Sequence, residues 1–343
     1  MRKLLNTFYV TIPDAYLALD GENIVVRQQE TELRRVPLHN LDGIVTYGRQ
    51  GASPALMRKC AEAGISLSFM TEYGRFMAGV VGEERGNVLL RRTQYRYADN
   101  EIKCVAIAQN ILTGKLHNSR WVLERTVRDH ALRVDSEKIK RAAGFVYDAI
   151  DLVRKAKTPG ELFGIEGEAA TQYFSVFDEM ILSNKEDFFF HKRSRRPPLD
   201  NVNTLLSFVY TLLTNDISSA LSAVGLDPFV GFLHRDRPGR RSLALDLLEE
   251  LRAPLADRFV LKLINMRQLV KSDFMQKESG AVVLHDDARR NLLTAWQNRK
   301  QEQLEHPYLK EKIQWGLVPY TQALLMARYL RGDLDEYPPF LWK

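Results

Sequence analysis

The sequence predicts an α+β protein, with a small β-rich N-terminal domain over residues 1–95 followed by a larger all-α domain over residues 96–343. Two observations predict this class. Before residue 95, short alternating apolar runs are separated by glycines and other turn residues, which is typical of strands. After about residue 99, apolar residues recur over long segments with the 3.6-residue period of a helix. The stretch Thr93–Asn100 is expected to join the two domains.

The strands of the N-terminal domain are placed by their turn residues. Apolar-alternating runs flank the turn Asp20–Asn23, where a glycine can adopt a positive φ at low cost, so a hairpin is predicted there. Residues 41–48 and 74–82 are predicted as further short strands bounded by glycine. Between them, Ser53 is a helix cap followed by proline and Gly64 suits a helix exit, which predicts a short helix running into a strand.

The helical domain is predicted from three long periodic segments, which are residues 100–116, 136–156 and 319–334. The composition is that of an ordinary folded protein, because 45% of the residues are hydrophobic and 27% are charged. No apolar run approaches the roughly 20 residues that cross a bilayer, so no membrane association is expected.

Charge and cysteine content limit the function classes. Lys and Arg number 49 against 43 Asp and Glu, which gives a formal net charge of +6 and favours a polyanionic partner if the excess is clustered. The two cysteines, Cys60 and Cys104, are too few for a disulfide scaffold and lack the spacing of a zinc site. Since no signal-peptide core is found either, a cytoplasmic protein is expected.

The first candidate for chemistry is Glu166, in the segment 158–177. Thr158, followed by proline and by a Glu three residues later, forms a capping box that defines the start of a helix. Glu166 then falls on the apolar face, where an ionised carboxylate is costly unless it is paired or bound to a metal. Gly164 and Gly167 weaken the helix by about 1 kcal/mol each, a cost explained if something approaches the backbone closely. The alternative is a Glu that is paired with a core Arg or that lies at the edge of the apolar stripe.

The second candidate is the segment 234–252, HRDRPGRRSLALDLLEELR, in which His234 precedes a helix with a row of leucines. Asp246, Glu249 and Glu250 lie together on another face of this helix, where like charges repel unless a cation offsets them. The alternative is that the carboxylates are a solvated helix face and that the arginines of the segment are their salt-bridge partners.

A metal site is the interpretation that joins these candidates. Glu166, His234 and one of Asp246 or Glu249 would supply oxygen, nitrogen and oxygen, a mixed hard donor set suited to Mg²⁺ or Mn²⁺. The sequence has no thiolate near these residues, which argues against structural zinc. In a basic protein, such a site indicates phosphodiester chemistry, in which the metal activates an oxygen nucleophile and neutralises charge on the phosphate.

Two basic segments flank the candidate ligands in the sequence and are expected to contact DNA phosphates. Their members are Lys192, Arg193, Arg195 and Arg196 in the first basic segment and Arg235, Arg237, Arg240 and Arg241 in the second. Two prolines after the first segment hold it extended, which lowers the entropy cost of ordering it. Solvated loops are the alternative. The sequence contains no phosphate-binding glycine loop and no nucleophile elbow.

Four stretches together resemble the CRISPR-associated integrase family, the larger subunit of the spacer-acquisition machinery. They are GIEGEAATQYF, RSRRPPLDNVNTLLSFVYTLL, GFLHRDRPGRRSLALDLLEELR and LVPYTQALLMARYLRGDLDEYPPF. The N-terminal residues 1–26 are similar to the subtype I-C version. The resemblance covers essentially the whole chain, and it implies a dimerising N-terminal domain and a catalytic helical domain.

The resemblance also implies the roles of the candidate residues. It places the metal ligands at Glu166, His234 and Glu249 and gives Asp246 a supporting catalytic position. Some relatives carry Asp where this sequence has Glu249, so Asp246 and Glu249 are alternatives for the closer metal contact. The implied partners are double-stranded and branched DNA, a second copy of the chain in a homodimer, and the smaller CRISPR acquisition subunit in a larger complex.

The expected activity is that of a metal-dependent DNA integrase or endonuclease. It would insert captured short duplexes into a CRISPR repeat array by transesterification from a 3′-hydroxyl, without ATP and without a protein nucleophile. Two alternatives remain at this stage. One is a structure-selective DNA nuclease that uses water in the same site, and the other is a non-catalytic DNA-binding scaffold whose acidic residues merely pair with its basic segments.

Overall fold

The computed structural model describes residues 7–12, 14–41, 43–48, 50–71, 76–80 and 88–343. Over this part of the chain it forms two compact units. The first unit takes the described part of Met1–Arg85 together with Leu284–Glu302 and Gln314–Leu317. The second takes the described part of Gly86–Val283 together with Gln303–Ile313 and Val318–Lys343. The predicted boundary between residues 95 and 96 falls within a helix of the second unit.

The first unit contains two β-sheets. The described strands of one sheet follow the order β1 (Thr7–Val10), β5 (Gly43–Tyr47), β6 (Ser66–Met70) and β7 (Phe76–Val80). Strands β1, β5 and β6 are parallel, with Thr7 opposite Gly43 and Gly43 opposite Ser66, whereas β7 is antiparallel to β6. The other sheet is antiparallel and consists of β2 (Ala15–Asp20), β3 (Asn23–Gln28) and β4 (Thr31–Pro37).

The hairpin and the short helix of this unit form where the sequence predicts them. Asp20 pairs with Asn23 across a turn in which Gly21 has a φ of 57°. Helix α1 (Pro54–Ala63) begins at a Ser53 cap and ends at Gly64 with a φ of 69°. The predicted strands over 41–48 and 74–82 correspond to β5 and β7, although residues 42, 74–75 and 81–82 lie outside the described residues. The core between these elements includes Leu17, Ile24, Ile44, Leu56 and Leu67.

The second unit is mainly helical. Its described helices are α2 (Val88–Ala98), α3 (Glu101–His130), α4 (Ser136–Lys155), α5 (Pro159–Ser175), α6 (Asn201–Ala223), α7 (Ser242–Leu251), α8 (Arg258–Asn265) and α10 (Val318–Arg331). Helix α3 packs against α4, α5 and α7, so it is the element that brings α5 and α7 to one place. The three periodic segments of the sequence lie in α3, α4 and α10, as predicted.

Two features of the structure differ from the predicted all-α domain over residues 96–343. Helix α9 (Asp286–Gln301) belongs to the first unit, where Gln297 Nε2 donates to Thr7 O at 2.9 Å. Short paired strands also occur at Phe274–Gln276 with Val282–Leu284 and at Gln303–Glu305 with Lys312–Gln314. These strands have only three residues each, which is too short for an alternating pattern to identify them in the sequence.

A π-helical turn over Arg252–Asp257 joins α7 to α8. Pro254 has no N–H, so it cannot donate to the carbonyl of Glu250 four residues earlier. Asn118 Nδ2 donates to Glu250 O instead, at 2.7 Å. The turn is therefore accommodated by a side chain from α3.

Two further expectations concern cysteines and membranes. Cys60 and Cys104 are buried free thiols. Among the residues that the structure describes, no helix combines the length and the apolar character that crossing a bilayer requires.

Candidate active site

The carboxylates of α7 are buried, so the alternative of a solvated helix face is wrong. Asp246 and Glu250 are 0% exposed and Glu249 is 4% exposed. Four leucines of α7 are buried as well, which encloses the helix on both its apolar and its acidic face; they are Leu243, Leu247, Leu248 and Leu251. A buried carboxylate is costly unless hydrogen bonds or ion pairs compensate it. The partners of these three side chains therefore define the site.

Asp246 holds the backbone segment that carries His234. Its Oδ2 accepts from the N–H groups of Phe232 and Leu233, at 2.6 Å and 3.0 Å. Its Oδ1 accepts from the N–H of His234 at 2.9 Å and lies 2.7 Å from His234 Nδ1. Because a carboxylate only accepts, Nδ1 carries a proton, which leaves Nε2 as the ring nitrogen that can offer a lone pair. Asp246 thus fixes both the loop and the imidazole, and donors occupy both of its oxygens.

Gly231 makes this arrangement possible. A Cβ added at Gly231 would lie 2.8 Å from Asp246 Oδ2 and 2.8 Å from Ser242 Cβ, closer than carbon atoms normally approach either. A glycine lets the backbone come near enough to α7 for consecutive N–H groups to reach one carboxylate. Gly231 is therefore required because the backbone at this position lies too close to α7 for a side chain to fit.

Glu249 lies between two cations. Its Oε1 is 3.0 Å from Arg252 NH2, and its Oε2 is 2.8 Å from Lys115 Nζ. Burial alone would raise the pKa of Glu249, but the Arg252 and Lys115 charges outweigh burial and lower the pKa to about 2. Glu249 is therefore ionised at neutral pH inside the protein.

Lys115 joins Glu249 to Glu166. Its ammonium forms an ion pair with Glu166 Oε1 as well as with Glu249, so one cation from α3 connects carboxylates of α5 and α7. Lys115 is 8% exposed, and the side chain of Glu166 is 25% exposed. The alternative of a core Arg as the partner of Glu166 is wrong in residue type, because the partner is a lysine.

The start of α5 agrees in part with the predicted capping box. Thr158 Oγ1 accepts from the N–H of Glu161 at 3.3 Å, while the Glu161 carboxylate accepts from the N–H of Lys157, one residue before the cap. Gly164 and Gly167 are exposed, and a Cβ added to either would meet nothing within 4 Å. The close approach expected at these glycines is thus not made by the described residues, and this side of α5 is open.

The carboxylates and the imidazole near Lys115 are groups of the kind that bind a divalent metal. Among the described residues, no group of three or more His, Cys, Asp or Glu side chains is arranged to hold a metal ion, and His234 Nε2 lies 4.0 Å from Glu249 Oε1. Glu249 Oε2 is buried and lies 2.8 Å from the Lys115 ammonium, so a cation already occupies this side of the carboxylate. Two carboxylates and an imidazole are ligands that Mg²⁺ or Mn²⁺ accept. The Lys115 ammonium supplies the positive charge that such an ion would bring.

A buried polar network supports Arg252. The guanidinium lies over the ring of Tyr210, 5.1 Å from its centroid. The Tyr210 hydroxyl donates to Asp257 Oδ1 at 2.5 Å, and the Tyr173 hydroxyl donates to Asp257 Oδ2 at 3.0 Å. Burial raises the pKa of Asp257 to about 6, although both hydrogen bonds act in the opposite direction. Asp257 therefore orients the tyrosine on which Arg252 rests.

Asn118 and Glu250 tie the C-terminal residues to the site helices. Asn118 Nδ2 donates to the carbonyl of Phe340 at 2.7 Å, and its Oδ1 accepts from the N–H of Trp342 at 2.8 Å. The Glu250 carboxylate accepts from the Tyr337 hydroxyl at 2.8 Å and from the N–H of Phe340 at 2.7 Å. Burial raises the pKa of Glu250 to about 8 despite these bonds. Helices α3 and α7 are thus clamped one turn from Lys115 and next to Glu249.

The structure divides the first basic segment into exposed and bound members. Lys192, Arg195 and Arg196 are exposed. Arg193 is half-buried and donates to Asn203 Oδ1 at 2.6 Å and to the carbonyl of Ser194 at 2.6 Å. Its guanidinium also lies 5.4 Å from the Tyr210 ring centroid, so Arg193 holds the loop against the network below Arg252.

The second basic segment divides in the same way. Arg235 and Arg237 are exposed. Arg240 donates to the carbonyl of Arg235, and Arg241 donates to Asn215 Oδ1 at 2.8 Å. Glu166 and Glu249 pair with Lys115, whereas Asp246 accepts from the His234 segment and Glu250 accepts from Tyr337 and Phe340. The sequence-based alternative, in which arginines of this segment are the partners of the α7 carboxylates, is met by Arg252, which pairs with Glu249.

Comparison with known proteins identifies the family. The profile of the family described as CRISPR associated protein Cas1 matches residues 8–298. The chain belongs to the Cas1 family. A curated relative, CRISPR-associated endonuclease Cas1 1 of Chlorobaculum tepidum, is 51% identical over 343 residues, which is 100% of both chains.

Solved structures show the same fold as this Cas1 family member. A casposase bound to integration product has a TM-score of 0.84 at 22% identity, covering 98% of this chain and 94% of that one. A Cas6-RT-Cas1–Cas2 complex contains a chain with a TM-score of 0.83 at 23% identity, covering 100% of this chain and 36% of that one. These likenesses establish a Cas1 fold.

Sequence reasoning missed the residues that connect the Cas1 site helices. They are Lys115, Asn118, Tyr210 and Asp257. A signal was present for the first two, since both lie on the buried face of α3 among apolar residues. The criterion that singled out Glu166, a polar side chain interrupting an apolar stripe, also applies to them. No comparable pattern marks Asp257, which follows the proline-containing turn.

Proposed function

We propose that this Cas1 family member is a metal-dependent DNA integrase of CRISPR spacer acquisition. The 3′-hydroxyl of a short captured duplex attacks a phosphodiester of the repeat array. A new P–O bond forms, the bond to the 3′-oxygen of the array strand breaks, and the proton of the attacking hydroxyl is balanced by one gained by the leaving oxygen. One phosphodiester replaces another, so the step needs no ATP.

The observation that carries this proposal is the convergence of Glu166 and Glu249 on a single ammonium, with the His234 imidazole 4.0 Å from Glu249. The two carboxylates come from different helices and share one cation, and Glu166 remains accessible to solvent. A protein that only binds phosphates has little use for such a pair. The pair is useful where a divalent cation must meet a substrate.

Glu166, His234 and Glu249 would hold the metal. When bound, a divalent cation stabilises charge on the phosphate and lowers the pKa of the attacking hydroxyl. Asp246 is a positioning residue in this proposal, because backbone and imidazole donors occupy its oxygens. Glu249 Oε2 instead faces the Lys115 ammonium at 2.8 Å, a contact between charges that a metal ion could replace. Of the two alternatives that the sequence leaves open, this favours Glu249 as the ligand and Asp246 as its support.

DNA would be held by the exposed members of both basic segments. They are Lys192, Arg195, Arg196, Arg235 and Arg237. The second segment begins directly after His234, and the first is anchored by Arg193 to the tyrosine under Arg252, so both start close to the proposed ligands. The open side of α5 at Gly164 and Gly167 leaves room for a backbone to approach Glu166.

The proposal includes the partners implied by the family. Double-stranded and branched DNA are the substrates, and the chain forms a homodimer and a larger complex with Cas2. Support comes from the structural neighbours, since the casposase is bound to integration product and another neighbour is a Cas1–Cas2 complex. A strictly monomeric mass at micromolar concentration would contradict the homodimer.

The test is a joining assay with the purified chain, Cas2, a short duplex with free 3′-ends and a supercoiled repeat plasmid, in Mg²⁺ or Mn²⁺. Duplex joined to plasmid is expected with the parent and lost with Glu166→Ala and Glu249→Ala. Glu168→Ala is the matched control, because Glu168 is an exposed carboxylate on the same helix. Joining by the two site variants at the parental rate would overturn the proposal.

A structure-selective nuclease is the second candidate, and the names of the curated relatives favour it because they are called endonucleases. The same site would then use water as the nucleophile. Fragment release from branched DNA without any joined product would support the nuclease. A non-catalytic scaffold is the third reading. It predicts that Glu166→Ala changes neither joining nor cleavage, whereas the integrase predicts loss of both with DNA binding retained.

A further inference from the structure

Lys115 places a buried positive charge where α3 meets α5 and α7. It lies on the buried face of α3 and is 8% exposed, yet its side chain ends in a charge. That charge contacts Glu166 of α5 and Glu249 of α7 and no other carboxylate in the described part of the chain. A lysine buried to this extent is retained only where anions compensate its desolvation.

The two carboxylates that contact Lys115 differ in the number of cations that bind them. Glu249 has a second cation, because Arg252 binds its Oε1 at 3.0 Å. Glu166 forms no other ion pair among the described residues. Without Lys115, Glu166 and Glu249 would face each other with no cation between them, because Arg252 binds the other oxygen of Glu249. Their repulsion would push the helices apart. The ammonium holds the pair in place.

Lys115 differs from Arg252 in how easily it can leave. A lysine carries a compact ammonium on a flexible four-carbon chain, whereas the guanidinium of Arg252 is planar and rests on the Tyr210 ring. The side chain of Glu166 is 25% exposed, so an ion from solvent can reach the shared locus from that side. Arg252 binds the opposite oxygen of Glu249 and can remain in place.

We infer that Lys115 is the resident counter-cation of Glu166 and Glu249 and that a divalent cation binds this pair by displacing the Lys115 ammonium. The inference rests on the metal site in the proposed function. Lys115 is then a positioning residue that keeps the ligands in register before the metal arrives, and metal affinity is set by competition between two cations.

The experiment measures Mn²⁺ binding to the full-length, DNA-free protein by calorimetry, together with the rise in Tm that Mn²⁺ causes. Lys115→Gln removes the competing charge, so Mn²⁺ should bind at least about tenfold more tightly, as expected when a charged hydrogen bond no longer has to be broken. The same variant should have a lower Tm without metal and a larger Mn²⁺-induced rise. Lys115→Arg keeps a charge with more donors, so it should bind Mn²⁺ more weakly than the parent, and it tests the inference even if Lys115→Gln does not fold.

Arg252→Gln is the matched control, because it removes an equal charge that touches Glu249 alone. If Lys115 acted only through the long-range electrostatic effect of its charge, Lys115→Gln and Arg252→Gln would raise the Mn²⁺ affinity equally. That result would overturn the inference. The inference would also be overturned if Lys115→Gln bound Mn²⁺ with the affinity of the parent. If Glu166→Gln abolished Mn²⁺ binding in the same experiment, the proposed metal site would still be supported. Absence of Mn²⁺ binding in the parent and in all variants would overturn the metal site and the inference together.

Discussion

Asp246 Oδ1 lies 2.7 Å from His234 Nδ1 and also accepts the backbone N–H of His234 at 2.9 Å. One buried carboxylate oxygen thus fixes both the main chain and the ring of a residue twelve positions earlier. This places Nε2 toward Glu249 and explains why two acidic residues one turn apart on α7 have different partners.

Asp246→Asn should disturb this arrangement without changing side-chain size. The amide replaces one acceptor oxygen with a donor, so N–H groups of the His234 segment lose their partner. We expect a loss of about 2 to 4 kcal/mol in the free energy of unfolding, and Mn²⁺ affinity lowered by about 10- to 100-fold. Urea denaturation and calorimetry measure the two effects. Asp236→Asn, an exposed Asp in the same loop, is the control, and equal behaviour of both variants would show that Asp246 does not position His234.

Asn118→Ala should weaken the connection between α3, α7 and the C-terminal residues. It leaves the carbonyls of Glu250 and Phe340 without this donor and the N–H of Trp342 without its acceptor, all in a buried place. The expected loss of unfolding free energy is about 3 kcal/mol or more, since each buried unsatisfied group costs about 1 to 3 kcal/mol. Asn110→Ala, at a half-buried position on the same helix, should cost much less. Proteolysis of the C-terminal residues should become faster only in Asn118→Ala.

Asp257 should give stability a specific pH dependence. Its folded-state pKa is raised from 3.8 to about 6, so its contribution is fully present below pH 3.8 and is lost as the pH rises through about 6. From about pH 4 to about pH 7, the parent should therefore lose stability relative to Asp257→Asn, by up to roughly 3 kcal/mol. Glu249 acts in the opposite sense, with stability present above pH 4.5 and lost as the pH falls toward 2, but both proteins share it.

The measurement for Asp257 is the difference in unfolding free energy between parent and variant at several pH values. Using the difference removes every group that the two proteins have in common, Glu250 included. A difference that stays constant from about pH 4 to about pH 7 would mean that folding does not raise the pKa of Asp257 and that burial is not its dominant influence.

The exposed members of the first basic segment should set the salt dependence of DNA binding. Neutralising Lys192, Arg195 and Arg196 together should flatten the slope of log affinity against log salt by up to about three. Sequence preference should hardly change, because phosphate contacts do not read bases. Arg193→Gln is the informative comparison, since Arg193 bonds to Asn203 and Ser194 and should lower stability with a smaller change in slope. A triple variant with the parental slope would remove this segment from the DNA path.

Much of the fold was determined by local sequence. The turn at Gly21, the Ser53 cap, the Gly64 exit and the Thr158 cap act within a few residues, so their signals survive without tertiary information. The long periods of α3, α4 and α10 likewise reflect burial of one helix face, which repeats along the chain. The return of α9 to the first unit was not predictable, because no local pattern encodes which distant sheet a helix packs against.

The site shows the same division. The sequence alone placed Glu166, His234, Asp246 and Glu249 as candidates, since charged and imidazole side chains beside apolar rows are unusual. Only the tertiary structure showed that Asp246 binds the His234 loop while Glu249 shares Lys115 with Glu166. A helix period gives the face on which a side chain lies but not the side chain that another helix places opposite it. That choice depends on how α3, α5 and α7 pack, and packing is decided by the sum of contacts over the whole unit.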